Sequence, residues 1–155
     1  MKILGVDPGT ATTGYGFLES SRGQLKVLEY GCILTDKKLR PEDRLGEIEQ
    51  DLNKLIKKHR PRILAVESLF FYKNVKTAIS VAQARGVVLL CAKRNRLSVR
   101  EFTPLQIKNT LTGYGKADKK QVQYMVMKLL GLKRIPKPDD AADALAIAIC
   151  AAGFR

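Results

Sequence analysis

The chain has 155 residues, 45% of them hydrophobic, and its 28 Lys and Arg against 15 Asp and Glu leave a formal net charge of +13 at pH 7. That length suits one domain, 1–155, with a single core, and so large a basic surplus points to a polyanionic partner, nucleic acid ahead of an anionic membrane surface. No apolar run in the sequence suggests the roughly 20 residues of a spanning helix, and MKILGVD is too short an apolar start for a signal peptide, so the chain reads as cytoplasmic, with no membrane partner.

In chain order, MKILGVD reads as a short strand, and GYGFLES and LKVLEYGCILT read as two more, joined by the turn SSRG. Three strands so tightly linked predict an antiparallel meander. Pro41 then opens a helix with Glu42 and Asp43 in its first turn. Leu45, Ile48, Leu52, Leu55 and Ile56 recur at helical spacing until KKHRP ends the run. His59, the only histidine, falls at that helix end, where a cationic ring suits the dipole. RILAVES is nearly continuously apolar, as a strand buried on both faces would be. TAISVAQARGVVLLCAKRN predicts a second helix and LSVREFT a fifth strand. The rest holds a short helix after Pro104, one over residues 118–130 closed by Gly131, and one in PDDAADALAIAIC. The order predicts an α/β fold: a mixed five-stranded sheet, three antiparallel strands plus two parallel, with helices on both faces. Cys32, Cys91 and Cys150 lack CxxC spacing and read as reduced thiols, not zinc ligands or disulfides.

Most acids sit on predicted solvated faces or helix starts, but four do not. Asp7 ends the first strand and Glu67 ends ILAVE, while Asp140 and Asp143, three apart, share one helical face. Strand carboxyl ends line the crevice where open α/β sheets bind ligands, so two strand ends and a helix start can bring four carboxylates together. Taken singly, each has an ordinary task in a turn or against a helix dipole. Together they repel: two carboxylates about 4 Å apart cost roughly 4 kcal/mol at an effective dielectric near 20. A cation must offset this, and oxygen donors without His or Cys select a hard ion, Mg²⁺ or Mn²⁺. A pair of such ions in a basic protein points to phosphodiester cleavage. Pro138 stops the preceding chain from continuing as helix, which predicts Asp139 at the N-cap and Asp140 and Asp143 at the first and fourth helical positions.

The motifs ILGVDPGTATTGYG, AVESLFFYKN, AQARGV, TPLQIKNTLTGYGKADKKQVQ and DDAADALAIAIC occur in succession from Lys2 to about Ala152. In this the chain resembles the RuvC family of bacterial Holliday junction resolvases. The resemblance implies a ribonuclease H-like fold and a homodimer that nicks two opposed strands of a four-way DNA junction in homologous recombination and DNA repair, using Mg²⁺. It implies two ions per site, with Mn²⁺ able to substitute, and the RuvAB branch-migration complex as a partner. It makes Asp7, Glu67, Asp140 and Asp143 the metal-binding acids, with Asp139 extra to the family's D-A-A-D pattern. It puts Phe70 at the aromatic position that contacts bases near the crossover, with Phe71 and Tyr72 as neighbours offering the same chemistry. Lys108 and Lys119 match basic positions near the scissile phosphates.

Independently of family, Lys119 and Lys120 in a helix's first turn oppose the macrodipole, a placement that favours a phosphate there. Lys73, Arg85 and Lys116 are further candidates for backbone contact or for a solvated face. The helix TAISVAQARGVVLLC carries apolar residues nearly all round, which makes it the expected dimer interface.

DPGT with a later glycine is also similar to the phosphate loop of actin-like ATPases and sugar kinases, which need two such domains. A non-catalytic junction-binding or architectural protein would explain the basic charge but not the four acids. A related nuclease of the same fold acting on RNA or another branched substrate fits the motif order less well.

Overall fold

Strand alternation decides which residues of this sheet meet which helix layer. The computed structural model describes residues 1–69 and 75–153. Its elements run β1 (Lys2–Asp7), β2 (Thr12–Ser21), β3 (Gln24–Leu34), α1 (Pro41–His59), β4 (Ile63–Glu67), α2 (Val75–Arg94), β5 (Ser98–Phe102), α3 (Pro104–Thr112), α4 (Lys119–Leu129) and α5 (Asp139–Ala151). The sheet order is β3-β2-β1-β4-β5, with β1 to β3 antiparallel and β1, β4 and β5 parallel, as the element order predicts. Arg22 and Gly23 both have positive φ, which closes the β2–β3 hairpin with the twist that adjacent strands require.

Leu4 and Val6 of β1 and Leu64 and Val66 of β4 face α1 and α2, burying Ile48, Leu52, Ala84 and Val88. The opposite set, Ile3 with Ile63 and Ala65, faces α5 and the helices beyond it, α3 and α4. α5 lies unusually deep. A Cβ at Gly5, in the middle of β1, would collide with the backbone oxygen of Ala144, so the bare strand lets the helix backbone rest almost on the sheet. The alanines of α5 serve the same approach, and all but its three aspartates are buried.

α1 begins at Pro41 and ends in Lys57, Lys58 and His59, matching its dipole. His59 Nε2 stands 2.7 Å from Glu29 Oε2 and its ring stacks on Phe17, so a carboxylate and an aromatic face hold it in place. Cys91 and Cys150 are buried free thiols, their pKa values pushed up to about 11 by burial, and Cys32 is a free thiol at intermediate depth. One expectation from run length needs correcting. α2, 20 residues long, is long and apolar enough to cross a membrane by length and composition. Polar residues interrupt that helix in the sequence, which hides its overall apolarity. Ala84, Val88, Cys91 and Ala92 pack it onto the sheet and α1.

Candidate active site

Period-two alternation puts Asp7 on the face shared by Ile3 and Gly5, and Glu67 on the face shared by Ile63 and Ala65. Both therefore point toward α5 from the carboxyl ends of neighbouring parallel strands, where Val6 pairs with Val66. Across β2, the partner of Asp7 is Gly14. A Cβ there would overlap the backbone oxygen of Asp140, so the missing side chain is what lets the start of α5 settle beside Asp7.

Ligand oxygens of Asp7, Asp140 and Asp143 consequently lie within 4.8 Å of one another. Glu67 stands just outside this group but lines the same cavity of about 220 Å³ with Asp7, Asp143, Lys108 and Lys119. Pro104, Ile107 and Val122 form an apolar wall. The electrostatics show the cost of the arrangement. Burial, then the charges of Asp143, Asp140 and Glu67, push the Asp7 pKa up to about 8. Burial followed by Asp143 raises Glu67, against the pull of Lys108. Burial raises Asp143 too, with Lys119 opposing. Three carboxylates so close, with oxygen as the only donor type, match the chemistry of a hard divalent cation.

Lys119 is held at this mouth. Thr103 and Asp118 cap α3 and α4 through capping boxes closed by Gln106 and Gln121, fixing the first turn that carries Lys119. Its Nζ donates to Asp143 Oδ2 at 3.1 Å. Burial alone would lower the ammonium's pKa, but Asp143, Asp139 and Asp140 outweigh it and hold the value above the ordinary lysine range. Lys108 lines the same cavity, close enough to Glu67 to act on its charge. Lys120 and Lys116 are exposed on the adjoining surface. The structure does not bring Arg85 to the cavity; its Nη2 donates to Glu101 Oε2 at 2.6 Å on β5. Phe70 and Lys73, with the competing Phe71 and Tyr72, lie outside the described residues.

The expected cap at Asp139 is not formed. Pro138 is the N-cap, extended at φ −66° and ψ 170°, and α5 begins one residue earlier than predicted, at Asp139. Asp140 and Asp143 are therefore its second and fifth residues. The carbonyl of Pro138 accepts from Ala141 and Ala142, the amides that an N-cap carboxylate at Asp139 would bind. That carboxylate instead takes a hydrogen bond from Lys137 Nζ at 2.7 Å, because a nearby ammonium offers a stronger, charge-assisted partner. Two features escaped the residue pattern. One is Gly14, signalled only by glycines at positions 5, 14 and 16 that fall on one sheet face opposite an alanine-rich helix. The other is the grouping of Lys119 and Lys137 around Asp139, which no spacing announces.

A mixed sheet whose adjacent parallel strands end in acids, met by an acidic helix start, defines a ribonuclease H-like protein with an acidic cluster at the sheet's carboxyl end. The family model for RuvC, crossover junction endodeoxyribonuclease, matches residues 3–151, and the chain belongs to that family. A crossover junction endodeoxyribonuclease of Thermosipho melanesiensis is 55% identical over 152 residues, covering 98% of this chain and 97% of its own. The structure of Thermus thermophilus RuvC superposes with a TM-score of 0.90 at 33% identity, over 99% of this chain and 98% of that one. The same T. thermophilus protein in complex with a Holliday junction substrate matches with a TM-score of 0.87 at 32% identity, over 96% and 91%.

Proposed function

We propose that the protein is an endonuclease that resolves four-way (Holliday) DNA junctions by paired symmetric nicks, in homologous recombination and repair. The observation that carries this reading is the convergence of Asp7, Asp140 and Asp143 within 4.8 Å, in a strongly basic chain of this family. Asp7, Glu67, Asp140 and Asp143 would hold two Mg²⁺ ions, with Mn²⁺ able to substitute. When bound, such ions activate the attacking water and stabilise the leaving oxygen. The chain's own part is to position the backbone. Lys108 and Lys119 flank the cavity and would clamp phosphate oxygens on either side of the scissile bond, while Pro104, Ile107 and Val122 exclude bulk water from one wall. Lys120 at the start of α4 adds a phosphate contact, and Lys73 and Arg85 are proposed as further backbone contacts. Phe70 is the proposed base contact.

Two symmetric nicks need two sites about a twofold axis, so the working unit is a homodimer. Its interface is α2, where Val75, Ile79 and Leu90 leave 79%, 70% and 46% of their surface exposed. The RuvAB branch-migration complex is the proposed further partner. The direct test incubates the protein with an end-labelled synthetic four-way junction, with and without Mg²⁺. Paired nicks at symmetric positions in opposed strands, seen only with the ion, are expected. Binding without nicking under every divalent ion would leave an architectural protein as the better reading.

A further inference from the structure

Asp139 stands outside the carboxylate cluster and caps nothing, yet cations hold it on both sides. Its Oδ1 accepts from Lys137 Nζ at 2.7 Å, and its Oδ2 lies 4.0 Å from Lys119 Nζ, the same ammonium that donates to Asp143 Oδ2 at 3.1 Å. Lys119 thus sits between one carboxylate that faces the cavity and one that faces solvent. One turn further along α4, Gln123 is 6% exposed and its Nε2 has no hydrogen-bond partner among the described residues. That amide comes near enough to Asp139 to help lower its pKa, after the larger effect of Lys137. The two groups approach without a formed bond, since Nε2 meets no acceptor at hydrogen-bonding geometry among the described residues.

A divalent ion held by Asp7, Asp140 and Asp143 needs the Asp143 oxygens, one of which Lys119 now engages. An ammonium and a divalent ion on one carboxylate repel each other, so an ion on Asp143 weakens its hold on Lys119. The lysine stem is flexible, and the Asp139 carboxylate is the neighbouring anion on the same ammonium. We infer that Asp139 is a positioning residue for Lys119: it takes over the ammonium when metal claims Asp143, and so keeps that charge at the cavity mouth where a substrate phosphate arrives. The inference rests on the metal-site reading above. Gln123, on the same face of α4, offers a donor to the Asp139 carboxylate in its new arrangement. Asp139 then favours metal binding even without DNA, and does so through Lys119. Its own charge also reaches Asp143 directly, but on a half-exposed side chain that effect is weakened at ordinary salt.

A double-mutant cycle separates these two routes. The full chain, free of DNA and in about 0.2 M KCl, is titrated with Mn²⁺, and free aqueous Mn²⁺ is read by electron paramagnetic resonance. Wild type, Asp139→Asn, Lys119→Met and the double variant are compared, with melting temperatures confirming that each is folded. Asp139→Asn should weaken Mn²⁺ binding about three- to tenfold, and Asp139→Glu should restore it. Lys119→Met should tighten binding, and on that background Asp139→Asn should change it by less than about 1.5-fold. The same weakening on both backgrounds would assign the effect to charge at a distance and overturn the inference. Unchanged affinity in Asp139→Asn alone would overturn it as well. A wild-type protein that takes up no Mn²⁺ would instead refute the metal site itself.

Discussion

Gly14 is the cross-strand partner of Asp7, and the atom that a side chain there would strike is the backbone oxygen of Asp140. The sheet and α5 therefore share one contact that also sets the spacing of two site carboxylates. Gly14→Ala should push the start of α5 off the sheet, costing about 1–3 kcal/mol and most of the nicking rate. Gly46, in α1, has nothing within 4 Å of its missing Cβ. Gly46→Ala should accordingly raise stability by up to about 1 kcal/mol and leave nicking unchanged. Thermal melts and junction nicking assays on both variants check the contrast; a fully active Gly14→Ala would break the link between this contact and the site.

The elevated pKa of Asp7 makes the metal-free protein pH-sensitive. An aspartate near 3.8 when unfolded and about 8 when folded binds more protons in the native state throughout that window. Stability from this group is therefore present at the acid end and lost as pH rises from about 4 to about 8. Asp7→Asn cannot ionise, so it should raise the metal-free melting temperature by at least about 3 °C at pH 8 and by under about 1 °C at pH 4. Calorimetry in chelator measures this. Equal shifts at both pH values would mean that Asp7 is not held protonated by its neighbours.

The same proton opposes metal binding. An ion entering the cluster must displace it, so apparent Mn²⁺ affinity should rise by up to about tenfold per pH unit below pH 8 and level off above. Isothermal titration in buffers of different ionisation enthalpy counts the released protons. A flat profile between pH 6 and 8 would mean that Asp7 carries no proton for the ion to displace.

Binding to the junction should rest on phosphate contacts. Log affinity should then fall linearly with log salt, at roughly −0.9 per neutralised phosphate. Lys119→Ala and Lys108→Ala, in chelator to prevent cutting, should each reduce the slope by about one contact. An unchanged slope for either lysine would remove it from the DNA path.

Ile79 exposes 70% of its surface on α2. If α2 joins two copies, Ile79→Glu should yield a monomer by sedimentation at micromolar concentration. It should keep wild-type Mn²⁺ affinity and lose coordinated paired nicking. A wild-type monomer, free and on junction DNA, would exclude the dimer.

The sequence by itself determined the sheet and the site's address. Alternating and continuous apolar runs place Asp7 and Glu67 at strand ends, and helical spacing puts Asp140 and Asp143 on one face, because these periodicities are local properties of the backbone. Only the tertiary structure decided what Asp139 does. A cap is the local expectation for an aspartate after Pro138, but Lys137 and Lys119 compete for the carboxylate, and Lys119 arrives from a helix 20 positions earlier in the chain. The depth of α5 was likewise a matter of tertiary contact. A glycine inside a strand weakens it locally, but at Gly5 and Gly14 the backbones of Ala144 and Asp140 occupy the space above them. The large rise in the Asp7 pKa has the same origin, since burial and the approach of three other carboxylates exist only once β1, β4 and α5 are assembled.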